Sequence, residues 1–196
     1  MYTAENFERL LGLAGMSDAL LKNHFTLYEG YVKNTNALIE ILQSGKYAAG
    51  TPEYNELTRR LGWEWNGMRL HELYFGNMTK DTVALRDGSA IGTLLTTAWG
   101  SVEDWKKEFI GIGSVRGIGW VVLSFDPKKR AVFNTWVNEH DGGHFAGSVP
   151  LLVMDVFEHA FMLDYGLKRA EYIGAFMRAI DWAVVEGRLQ KASGIA

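Results

Sequence analysis

Val149-Pro-Leu-Leu-Val-Met-Asp-Val-Phe-Glu-His159 is the stretch on which the reading of this chain turns. An apolar run, Val149 to Val153 extended by Met154, ends on Asp155. A carboxylate at the end of an apolar strand is costly unless it is paired or bound to a cation. His159 follows four residues later and points the same way if the chain takes a helical turn there. The segment therefore reads as a buried strand that delivers a carboxylate and an imidazole to one place.

Upstream, Gly119 to Phe125 and Ala131 to Val137 are rich in Val, Phe and Trp and flank Asp126-Pro-Lys-Lys129, a strand–turn–strand signal. Pro150 to Val156 gives the third strand of a small antiparallel sheet. Further upstream the period changes to that of helices. Leu20, Leu21, His24, Phe25, Tyr28, Tyr31, Val32, Leu38 and Leu42 recur at helical steps after Ser17-Asp18, and the helix stops near Ser44-Gly45. Thr51-Pro52 restarts a helix that carries Tyr54, Leu57, Leu61, Trp65, Met68 and His71. The two make an antiparallel helical hairpin. Asn77 to Asp87 reads as a linker, about Asp87 to Thr97 as a helix, Ser101-Val-Glu-Asp104 as the cap of another, and Glu171 to Leu189 as a closing helix. The expected fold is α+β: an N-terminal helical hairpin over residues 1–82, then an α/β domain with a three-stranded antiparallel sheet over residues 83–196, with a metal site between them.

The composition narrows the chemistry. The 196 residues carry a net charge of −3, so a nucleic-acid partner is not expected. No charge-free run is long and apolar enough for a membrane span, and the first twenty residues have no signal-like apolar core, so a cytoplasmic protein is expected. There is no cysteine, so thiolate metal sites, disulfides and cysteine nucleophiles are excluded. Metal ligands must come from His, Asp or Glu. Histidine is scarce: His24, His71, His140, His144 and His159. One histidine alone is ordinarily a packed or surface residue. His24 and His71, however, lie on the two arms of the hairpin. Three imidazoles and a carboxylate suit iron, manganese or zinc and leave a coordination position open.

Asp155-Val-Phe-Glu-His-Ala160 resembles the C-terminal signature of the iron/manganese superoxide dismutases. Tyr31-Val-Lys-Asn-Thr-Asn36, His71-Glu-Leu-Tyr-Phe75, Gly117-Ile-Gly-Trp120 and Lys168-Arg-Ala-Glu-Tyr172 resemble other segments of that family in the same order. The resemblance implies one Fe or Mn ion per subunit, held by His24, His71, Asp155 and His159. It implies disproportionation of superoxide to dioxygen and hydrogen peroxide, with Tyr31 as the gateway tyrosine and Trp120 as an aromatic wall. Arg169 would add positive potential, and Glu158 would reach the partner's ligand histidine across a homodimer.

Three departures from the family pattern carry expectations of their own. Gly67 stands where iron enzymes often have an outer glutamine, and Val137-Asn-Glu-His140 resembles the variant in which a histidine takes that glutamine's place. His140 is therefore expected beside the metal's solvent, and His144 is expected to be structural or exposed. His24 and Tyr31 are seven residues apart, one fewer than is common in the family, which returns both to one helix face without a π-bulge. Leu27 and Met162 replace two polar residues that bond across the family's dimer interface; losing both partners together is nearly neutral. Two competing readings remain: a structural relative that keeps fold and metal without turnover, and a non-haem oxygenase, which normally has fewer protein ligands.

Overall fold

A computed structural model describes residues 1–86 and 88–194. Helix α1 spans Asp18–Gln43 and α2 spans Pro52–Gly76. Each begins at a hydroxyl cap: Ser17 Oγ accepts from the Leu20 amide at 3.1 Å, and Thr51 Oγ1 from the Tyr54 amide at 3.3 Å. Such caps pair an amide that the helix leaves free and are worth about 1 kcal/mol each. Cross-contacts pair Tyr28 with Glu72 and Asn34 with Glu64, so the helices run antiparallel. Helix α1 is regular from His24 to Tyr31, and both side chains are buried on one face, as the seven-residue spacing requires.

Next come α3 (Ala90–Trp99) and α4 (Val102–Gly113), capped by Ser89 and Ser101. The expected start of α3 at Asp87 lies outside the described residues. Strands β1 (Gly119–Asp126), β2 (Ala131–Asn138) and β3 (Val149–Asp155) form an antiparallel sheet in the order β2-β1-β3. The central strand is buried almost throughout, which is why β1 reads as a continuous apolar run rather than an alternating one. Its register puts Trp120 opposite both Val137 on β2 and Asp155 on β3. The sheet thus brings three site segments to one end.

After β3 the chain makes a 3-10 turn at Glu158–Ala160, a short helix α5 (Met162–Tyr165), then α6 (Arg169–Ala179) and α7 (Trp182–Ala192). The single closing helix expected over Glu171 to Leu189 is in fact two. Ile180 is extended and bridges Met78, and the Asp181 carboxylate accepts from the amides of Ala183 and Val184, capping α7. The apolar period runs through the break, but the chain is tied there to the end of α2. The Thr79 amide donates to Ala179 O and the Asp181 amide to Asn77 O, both at 2.9 Å. Buried Asn77 also brackets Val153 of β3, and the Arg188 guanidinium reaches Asn77, Leu73 and Leu151. Helix α2, β3 and α7 are locked together behind the site. Among the described residues no helix is long and apolar enough to cross a membrane.

Candidate metal centre

His24 from α1, His71 from α2, Asp155 at the end of β3 and His159 in the following turn converge, with one potential ligand atom from each lying within 4.8 Å of the others. The Nε2 atoms of His24 and His159 are each 3.2 Å from Asp155 Oδ2, and that of His71 is 3.7 Å away. Donors about 2.1 Å from a common centre are about 3.0 Å apart at right angles and about 3.6 Å apart at 120°. The observed separations fit that spacing.

The proton positions say more. His71 Nδ1 lies 2.6 Å from Gly67 O, and a carbonyl only accepts, so the proton is on Nδ1 and Nε2 bears a lone pair. That lone pair faces a carboxylate oxygen inside the protein. His24 Nε2 is close to the same oxygen but lacks hydrogen-bond geometry, and both nitrogens are buried without a hydrogen-bond partner. Each such atom costs about 1–3 kcal/mol. Asp155 Oδ1 is taken by the Phe157 amide at 2.8 Å, leaving Oδ2 for the cluster. Burial and then His24 push His71 well below the usual imidazole range; burial lowers His24 against the pull of Asp155. Burial works to raise Asp155, yet His159 and His24 outweigh it and hold the carboxyl far below its ordinary value. A lone pair on His71 Nε2 and an unpartnered His24 Nε2, both facing a buried anion, are what a cation would satisfy, and the residues present fit one.

Beside this cluster, Tyr31 Oη is 2.7 Å from His140 Nε2, and Trp120 Nε1 donates to His140 Nδ1 at 3.1 Å. An indole N–H is a donor only, so Nδ1 is the acceptor and the one proton of neutral His140 sits on Nε2, aimed at the tyrosine oxygen. Burial pushes His140 down to about 4, so the ring is neutral near pH 7. Burial raises Tyr31, with Asp155 adding to it, so the phenol keeps its proton. Tyr31 reaches this place because α2 has no side chain at position 67. A Cβ on Gly67 would meet Tyr31 Cδ1 at 2.6 Å and Cε1 at 2.7 Å.

Residues 87–188 match the C-terminal domain of iron/manganese superoxide dismutases. A superoxide dismutase [Fe] of Cupriavidus metallidurans is 36% identical over 87% of this chain and 86% of its own length. The chain belongs to the iron/manganese superoxide dismutase family. A superoxide dismutase [Mn] 2 of Haloferax volcanii is 32% identical, covering 87% of this chain and 84% of its own, and a superoxide dismutase [Fe] of Pyrobaculum aerophilum is 31% identical over 87% and 82%.

Other residues singled out from the superoxide dismutase resemblance fall in different settings. Glu158 is exposed and His159 is the least buried of the four converging side chains. Arg169 does not point into the cluster; its guanidinium donates to the carbonyls of Val115 and Gly117 at 2.8 Å, clamping the loop before β1. His144 Nε2 donates to His140 O at 2.8 Å and is exposed. Two contributors escaped the sequence reading. Phe157 stacks on both His140 and His159, with centroids 4.8 Å and 5.0 Å away. Trp63 packs on His140 at 4.4 Å. Trp63, Gly67 and His71 are spaced at four-residue steps, one stripe of α2, and that spacing was the available signal.

Proposed function

We propose that this chain is a superoxide dismutase with one iron or manganese ion per subunit, held by His24, His71, Asp155 and His159. The observation that carries this is the convergence of three imidazole Nε2 atoms on Asp155 Oδ2, two of them buried without a hydrogen-bond partner. When bound, the ion supplies the one-electron couple by which one superoxide is oxidised to dioxygen and the next is reduced to hydrogen peroxide. The second half-reaction consumes two protons, and the chain's own residues hold protons beside the site. His140 Nε2 donates to Tyr31 Oη, which turns the tyrosine's own proton away from His140 and leaves it free to be given. Trp120 fixes the tautomer that makes this possible. Tyr31, His140 and Trp120 thus order the proton side of the reaction, while the imidazoles and carboxylate set the potential.

The metal's identity stays at iron or manganese. Relatives named for iron and for manganese stand at similar identity, 31–36%. We further propose a homodimer in which Glu158 contacts the partner's ligand histidine. Support comes from exposed Met162 and Leu163 on α5 and Leu167 in the turn after it, an apolar surface suited to a second copy. The division into a hairpin domain (1–82) and an α+β domain (83–196), Arg169 as a source of positive potential, and a cytoplasmic location belong to the same proposal. The test is activity of protein loaded separately with iron and with manganese, alongside metal content. One metal per chain with dismutation in at least one form is the expected result; stoichiometric metal with no dismutation in either form returns the chain to the structural relative without turnover.

A further inference from the structure

We propose that Trp63 is a positioning residue that acts through His140, holding its ring where Nε2 meets the Tyr31 hydroxyl. This rests on the dismutase reading of the same site. The torsion that turns an imidazole about its own axis is broad, so packing and hydrogen bonds must select its orientation. His140 is held on four sides: Tyr31 at Nε2, Trp120 at Nδ1, Phe157 against one face, and Trp63 edge-on at 70°. Tyr31 and Trp120 take the two ring nitrogens and Phe157 covers one face. Trp63 is the remaining constraint, and it is only half-buried, closing the side of His140 toward solvent.

Trp63 is itself fixed by two contacts. Its Nε1–H donates to Glu139 Oε2 at 3.2 Å, and the Arg60 guanidinium lies 4.2 Å from its ring centroid. Arg60 is in turn paired at 2.6 Å with Glu64, a buried carboxylate. Glu139 is one of two non-glycine residues with positive φ among the described residues, at +48°. Strained backbone of this kind persists where surrounding contacts over-determine it, and it often marks a site. Here it is the bend that turns His140 inward from the end of β2, and the same residue's side chain ties down Trp63. A single acidic residue therefore aims the imidazole with its backbone and the indole that confines it with its side chain.

The test uses full-length, metal-loaded protein and azide as a small-anion probe. Trp63→Phe keeps an aromatic ring but loses the donor and part of the contact. We expect full metal content, an unchanged melting temperature, and an azide Kd shifted about three- to tenfold, at the lower edge of the about 10–100-fold that partners of the ligands themselves contribute, because Trp63 acts one contact further out. In a His140→Gln background the same replacement is expected to shift Kd less than about twofold, because residues acting as a unit are non-additive. Glu139→Ala should move Kd in the same direction by about twofold, and Glu139→Gln, which keeps an acceptor, should restore it. The proposal is overturned if Trp63→Phe shifts Kd equally in both backgrounds, shifts it in neither, or loses metal. It is overturned too if Glu139→Ala leaves Kd at the wild-type value. Azide binding needs no turnover, so these outcomes are separate from an absence of dismutation in the wild-type protein.

Discussion

Replacing Gly67 with alanine adds one methyl group where the Tyr31 ring already lies. The new Cβ would sit 2.6 Å from Cδ1, 2.7 Å from Cε1 and 3.2 Å from Cγ. Carbon pairs are comfortable at about 3.5–4.0 Å, so the ring must withdraw by about 0.8 Å or more. It has little freedom to do so. His71 stacks on it at 5.1 Å, Trp63 lies at 5.6 Å, and its hydroxyl is tied to His140 at 2.7 Å. Overpacking of this kind costs about 1–3 kcal/mol. Against it, alanine gains about 1 kcal/mol over glycine inside a helix. The single variant is therefore destabilised by about 0–2 kcal/mol, the sum of overpacking cost and propensity gain. In a Tyr31→Ala background the clash is gone and the propensity gain stands alone, so the same replacement stabilises by about 1 kcal/mol. The measurement is denaturant unfolding of wild type, both single variants and the double variant, free of metal. A change of sign, with a coupling of about 1–3 kcal/mol, is expected. Metal-loaded Gly67→Ala should keep its metal and lose about tenfold in dismutation through the displaced tyrosine. Additive stabilities within about 0.5 kcal/mol, or undiminished turnover, would refute the packing argument.

Removing the metal should cost stability, because it restores unpaired nitrogens beside Asp155. An ion at about a thousand times its Kd adds about 4 kcal/mol, and with about 2–4 °C per kcal/mol for a chain of this size the chelated protein should melt roughly 8–16 °C lower; equal melting points would exclude specific occupancy. Metal-free stability should also fall with acid. His140 is lowered from 6.5 to about 4 in the fold, so as pH drops below 6.5 the unfolded chain takes the proton first, and stability is lost down to about 4. His24, His71 and Asp155 are lowered too and act with the same sign. Unfolding free energy against pH over that window should have a slope of at least about 1.4 kcal/mol per unit, and His140→Gln should reduce it by up to about 1.4 kcal/mol per unit while His24 and His71 keep the remainder; a flat wild-type profile would contradict the burial of neutral imidazoles. Leu163→Glu, placing a charge on the exposed apolar surface after Glu158, should lower the sedimentation mass at micromolar concentration from dimer to monomer. A wild-type protein that sediments as a monomer would remove the trans Glu158 contact altogether.

How much of this was legible depends on the range of the interaction involved. Ser17, Thr51, Ser89 and Ser101 each accept from the amide three residues on, so helix starts are written locally. The strand pair around Asp126 is equally local, since that carboxylate accepts from the Lys128 amide in its own turn. Asp155 and His159 could be read as a unit because their spacing is short. The break at Ile180 could not be read from its own segment. Asp181 is an ordinary cap only in retrospect; what stops α6 is pairing to Met78 and Asn77, about a hundred residues earlier. Arg169 is limited in the same way: its donors hold two carbonyls of a loop that periodicity cannot place, a structural role beside its charge that its own segment does not announce.

Gly67 and His140 belong to one steric and hydrogen-bonding problem, although they are on different elements. Where a family member has a glutamine at position 67, the outer donor comes from α2. Here the Tyr31 ring occupies that space, at contact distances no side chain at 67 would permit. A donor for the tyrosine must then arrive from the opposite side, and the left-handed bend at Glu139 delivers His140 from the end of β2. The exchange is not chemically neutral. An amide nitrogen carries two protons and can serve two acceptors, whereas neutral His140, with Nδ1 accepting from Trp120, has one proton and spends it on Tyr31. A glutamine at position 140 would regain a second donor without touching Gly67. His140→Gln should therefore keep the metal and the fold yet change the relative activity of the iron and manganese forms. Loss of metal in that variant would place His140 among the ligands instead, and the pairing of Gly67 with His140 would fail as an account of this site.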